Sequence, residues 1–85
     1  VNILDGIKQI EEIINILIDI DKAIDESADT YLYLLRLDKA VSEALNSQAI
    51  YGDVRKLLTD TIYKYYRGET VEYGLIAARL CLYLD

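Results

Sequence analysis

Histidine, methionine, tryptophan, phenylalanine and proline are absent from this chain of 85 residues, and cysteine occurs once, at Cys81. Without histidine there is no Ser–His or Cys–His nucleophile pair and no imidazole metal ligand. One cysteine builds neither an internal disulfide nor a zinc site, so a reducing, cytoplasmic setting is expected. Glycine is confined to Gly6, Gly52, Gly68 and Gly74. An all-β fold needs many tight turns, and tight turns need glycine and proline. Their scarcity favours a few long helices.

Other absences narrow the function. No phosphate-binding loop and no G-x-G-x-x-G turn is present. A calcium loop starting at Asp19 would need glycine where Ile24 stands; one starting at Asp25 would have Thr30 there and would end on Arg36 instead of glutamate. Asp19 and Arg79 break the longest apolar runs well short of the ~20 residues of a membrane span. No basic segment precedes the first apolar one, where Asp5 lies, so no signal peptide is expected. Asparagine and glutamine are sparse while isoleucine and charge are abundant, which leans toward a thermophilic source; the missing proline leans the other way.

What is present is hydrophobic: 53% of the chain, too much for a disordered segment. The opening stretch sets Ile3, Ile7, Ile10, Ile14, Leu17 and Ile24 three, four or seven residues apart, with Asp21 the only interruption. Ile13, Ile16 and Ile20 widen that stripe. Ile14, Ile16, Ile18 and Ile20 also alternate as a strand would, but the helical pattern covers about three times the length. A first helix is therefore predicted over 3–24, capped by Asn2 with Asp5 in its first turn.

The polar break DESAD follows, in which Ser27 or Asp29 would cap a second helix over 30–46. Its core row is Leu34, Leu37 or Asp38, Val41 and Leu45, with Ala40 and Ala44 beside it. Tyr31, Leu32 and Leu35 make its first turns apolar nearly all round, which asks for a second covering partner. After NSQAIYGD, where Ala49, Ile50 and Tyr51 are compatible with a helical extension, a third helix is predicted over 53–67. Its row is Val54, Leu57, Leu58, Thr61, Ile62 and Tyr65, with Asp53 at the start and Gly68 ending it. A fourth helix over 70–84, capped by Thr70, presents the small residues Gly74, Ala77, Ala78 and Cys81 to a close neighbour. Cys81 is expected buried. The fold expected is all-α, one domain, a small antiparallel four-helix bundle.

No catalytic constellation and no cofactor motif emerges, so a non-enzymatic protein–protein interaction module is the expected function: an accessory subunit, inhibitor or assembly component. Residues 1–30 carry eight acids and two bases, which places the whole net charge of −6 in the first third. That end would attract a basic protein surface. Asp21 and Asp25, one helical turn apart, and the exposed cluster expected of Tyr63, Tyr66 and Arg67 are the candidate partner-binding residues. The apolar excess on the first two helices predicts a homo-oligomer. The alternative is a nucleic-acid accessory protein using Arg55, Lys56, Lys64 and Arg67, interleaved with tyrosines. The sequence pI near 4.5 opposes it, as does Asp60, which is placed to pair with Lys64.

Overall fold

A computed structural model describes residues 3–50 and 52–84, without the Ile3 side chain. The expected cap Asn2 and the end of the linker at Tyr51 lie outside the described residues, as does the first side chain of the predicted stripe. The four helices are α1 (Ile3–Asp25), α2 (Tyr31–Asn46), α3 (Gly52–Tyr66) and α4 (Tyr73–Leu84). The period-two pattern at residues 14–20 is helical, inside α1.

At ~1.5 Å per residue, the 23 residues of α1 span most of the molecule's 39 Å long axis. α1 packs on α2 and on α4, and α3 closes the ring against both; the backbones of the diagonal pairs stay more than 8 Å apart among the described residues. Asp21 lies against Gly74, and Ile7 and Ile10 lie near Tyr83 and Leu84, so α1 and α4 run antiparallel. Gly6 meets Ala49 beyond the end of α2. Arg55 reaches Leu45, and Tyr66 reaches Asp38, which makes α2 and α3 antiparallel as well. This is the expected up-and-down bundle.

The core is centred on Ile13, Leu17, Ile20, Leu37, Val41, Leu58 and Leu80, all fully buried. Burying each such side chain stabilises by about 1.5–3 kcal/mol. The predicted stripe is rotated. Ile13 and Ile20, read as flanks, lie at its centre, whereas Ile7 and Ile24 are 37% and 50% exposed. α1 is covered from two sides, so its buried arc falls between α2 and α4 and not along the row that spacing alone picks out. Thr61 is buried as expected, and its hydroxyl donates to the Leu57 carbonyl at 2.8 Å.

The breaks differ from expectation in chemistry more than in place. Ser27 does not cap α2. It ends α1 at φ 54°, with its N–H donating to Ile24 and the Ala28 N–H donating to Ala23, the paired bonds of a Schellman motif. Asp29 takes the capping role instead, its Oδ1 accepting the Tyr31 N–H at 2.9 Å. Gly68 closes α3 in the same way as Ser27 closes α1, at φ 71°, with the Glu69 N–H donating to Lys64.

α4 begins at Tyr73, not at Thr70, because half-buried Val71 packs on the core before the helix starts; the first carbonyl to accept is that of Glu72, from Ile76. Residues 47–50 are not helical, and Ile50, 2% exposed, plugs the core from this loop.

A left-handed backbone suits glycine and strains serine. Ser27→Gly is therefore expected to stabilise the fold by about 0.5–1 kcal/mol, raising the melting temperature by several degrees in a thermal scan. An unchanged or lower melting temperature would contradict that reading of the turn.

Candidate interaction surface

α1 and α3 end, and α2 and α4 begin, at one end of the bundle. The five candidate residues Asp21, Asp25, Tyr63, Tyr66 and Arg67 all come to that end. They do not share a face, because α1 and α3 are diagonal and their backbones stay more than 8 Å apart among the described residues. Asp21 and Asp25 are exposed on α1, with Asp21 beside the first turn of α4 at Gly74. A carboxylate there complements the positive end of the α4 dipole, which explains an acid interrupting an apolar row. Asp29 does not extend their line, since α1 stops at Asp25. Among the described residues no group of three or more Asp, Glu or Cys side chains is placed to hold a metal ion.

The tyrosine cluster is built on the last turn of α3. Tyr63 and Tyr66 are 56% and 61% exposed. The Tyr66 hydroxyl donates to Asp38 Oδ1 across the α2–α3 seam, and its ring leans on Tyr65 with centroids 5.5 Å apart. Asp38, weighed from sequence as an alternative core position, is thus the residue that fixes Tyr66. Tyr31 and Leu35 precede Asp38 by seven and three residues on α2 and are also well exposed. The apolar first turns of α2 signalled such a patch; only the antiparallel register of α2 and α3 joins it to Tyr66, while Tyr63 faces the α3–α4 groove. Arg67 donates through Nε to Glu69 Oε2, a surface ion pair that contributes little to stability.

The basic residues of α3 divide between two flanks. Arg55 donates to the carbonyls of Leu45 and Ile50 and so ties the α2–α3 loop. Lys56, Lys64 and Arg67 line the α3–α4 side with Arg79, which sequence reasoning had not grouped with them; Asp53 and Asp60 lie in the same grooves. The expected Asp60–Lys64 pair is not formed: among the described residues the ion pair within 4 Å is Arg67–Glu69. Cys81 is exposed, not buried. The inward side of α4 is taken by Ile76, Ala77 and Leu80, and Cys81 follows Leu80 by one helical step of about 100°. Ala78 is exposed too, so only Gly74 and Ala77 of the small-residue row lie against the bundle.

The Tyr66 phenol is held above the ordinary tyrosine range, first because its hydroxyl donates to Asp38, then by desolvation and by the charges of Asp38 and Tyr65. Tyr73 is pushed up by burial and then by Tyr65. A phenol raised in the folded state binds its proton more tightly than in the unfolded chain, so its stabilising share is intact below pH ~10 and is lost as pH rises through the folded value. Phenolate absorbance is expected to show two late-titrating tyrosines. Asp38→Asn should bring one of them back toward the others. A titration in which that variant leaves the late fraction unchanged would show that Asp38 does not govern Tyr66.

No protein-family model, curated protein or solved structure matches this chain. No helix among the described residues is long and apolar enough to cross a membrane.

Proposed function

We propose that this protein is a non-enzymatic interaction module, an accessory subunit, inhibitor or assembly component, which self-associates and acts in the cytoplasm. The observation that supports it best is the exposed row of Tyr31, Leu35 and Tyr66 along the α2–α3 seam, with Tyr66 held in place by Asp38 and exposed Tyr63 beside it on the α4 side of α3. Tyrosine brings a large apolar area and a polar tip to an interface. A side chain already fixed in the free protein loses less freedom on binding. Asp29 and Glu69 stand at the start of α2 and just beyond α3 at this end, with Asp21, Asp25 and Glu26 exposed at the end of α1. Their charge favours a partner with an apolar centre and a basic border, steered by Asp21 and Asp25.

The test uses the protein as bait in an extract of its source, with Tyr63→Ala/Tyr66→Ala as the matched control. A protein retained by the wild type and lost by the double variant is the expected result. Equal retention by both would remove the tyrosine row from the interface. Nucleic acid is the second reading, favoured by Arg79 joining Lys56, Lys64 and Arg67 and opposed by Asp53, Asp60 and the engagement of Arg55. A gel shift that weakens steeply with salt and is lost when those four bases are neutralised would select it.

A further inference from the structure

The seam between α3 and α4 is an open groove. Asp53, Lys56, Asp60, Lys64 and Arg67 follow one another at three or four residues and form one row along α3 and its exit. Arg79 and Leu82 face that row from α4, over half-buried Leu57 and buried Ile76. Leu57, Asp60 and Arg79 line both halves of the groove, which makes it continuous. An exposed tyrosine stands in each half, Tyr83 in one and Tyr63 in the other.

The charge of the groove is the reverse of the molecule's. Four of the chain's nine bases line it, Lys56, Lys64, Arg67 and Arg79, against two of its fifteen acids among the described residues. Its four bases and two acids leave it at +2, on a chain of −6. Asp60 has Lys56 and Lys64 one turn away on either side, yet the ion pair among the described residues is Arg67–Glu69. The groove does not neutralise itself.

We propose that this groove docks an acidic amphipathic helix of another protein. The surface is separate from the tyrosine row of the α2–α3 seam, and the proposal does not rest on that row. Rows at helical spacing on a largely apolar floor match a third helix, and the described residues offer no strand edge to extend. From Asp53 to Lys64, α3 rises about 17 Å, so the occupant lies along about three turns. Its apolar stripe covers Leu57 and Leu82, which accounts for a leucine 74% exposed on a helix whose only charge is Arg79. Its acids gather over Lys64, Arg67 and Arg79, where Asp60 is the one acid of that half among the described residues. The half at Asp53 and Lys56 is balanced and takes neutral or basic side chains. A nucleic-acid strand matches less well, since its phosphates would pass both acids and leave Leu82 bare.

Fluorescence anisotropy with the full chain tests this. The probe is a labelled synthetic helix of about four turns, with leucine at i, i+4 and i+7 and glutamate beside that stripe, densest at one end. It is expected to bind, and to bind more weakly as salt rises. Lys64→Glu/Arg79→Glu changes exposed side chains, so it should keep the wild-type circular dichroism while weakening binding at least about tenfold. Asp60→Asn should tighten binding about twofold to fivefold, a gain that misfolding cannot imitate. Leu82→Ala should weaken it, and Tyr66→Ala, on the other seam, should leave it unchanged. A wild type that does not bind this helix, or binding that the charge variants leave as it was, overturns the proposal. So does a single-stranded oligonucleotide that uses the same bases and outcompetes the helix, which would select nucleic acid instead.

Discussion

Leu17→Ala is expected to destabilise the protein by about 3–5 kcal/mol. Leu17 is fully buried in the core cluster on the one helix that packs extensively against two others. Its removal leaves a cavity that α2 and α4 cannot both close, since each is held to α1 by further contacts on either side. A chain of this size has roughly 4–13 kcal/mol of total stability, so the loss is a large share of the whole. The melting temperature should fall by about 15–30 °C. Two controls give the result meaning. Leu32→Ala, at a side chain 70% exposed, should stay within about 0.5 kcal/mol of wild type. Ile24→Ala, counted with Leu17 in one stripe by spacing, should cost far less than Leu17→Ala. Equal losses at Ile24 and Leu17 would mean that the stripe is not rotated as described.

The second large effect concerns two helical glycines whose substitutions should act in opposite directions. A Cβ on Gly6 would stand 3.0 Å from Ala49 Cβ and 3.1 Å from the Ala49 carbonyl oxygen. That backbone cannot move alone. The same loop carries Ile50 into the core and is tied by Arg55. Gly6→Leu is therefore expected to cost about 2–3 kcal/mol, despite regaining about 1 kcal/mol of helix propensity. A Cβ on Gly74 would meet the Asp21 carboxylate, with Oδ2 at 2.9 Å. A carboxylate at the end of a side chain can swing aside, at a loss of about 0.3–1 kcal/mol of dipole interaction. Gly74→Ala should thus be neutral or slightly stabilising. Chemical denaturation of both variants decides the matter; a stabilised Gly6→Leu would show that the loop does not seat on α1.

Much of the candidate surface could be read one residue at a time. The acid-rich end, the exposed Tyr63 and Tyr66 and the apolar first turns of α2 are all visible as composition and spacing. Their partners are not. Asp38 meets Tyr66 across 28 positions of chain, and Arg55 spends its guanidinium on two carbonyls instead of a ligand. Cys81 and Leu80 are adjacent and similarly apolar; only the direction from which α1 approaches α4 decides which of them is inside.

Helix number, helix type and the position of three of the four helix starts to within a residue or so were determined by the sequence itself, because a 3.6-residue period and the polar breaks between periods are local properties of the chain. The tertiary structure decided which arc of each apolar helix is covered, that Ile50 leaves its loop for the core, that Ser27 ends one helix instead of starting another, and that α4 keeps a bare outer face. Those outcomes depend on where distant segments cross, and a helix that is apolar on several sides carries no local mark of the side its neighbours will take.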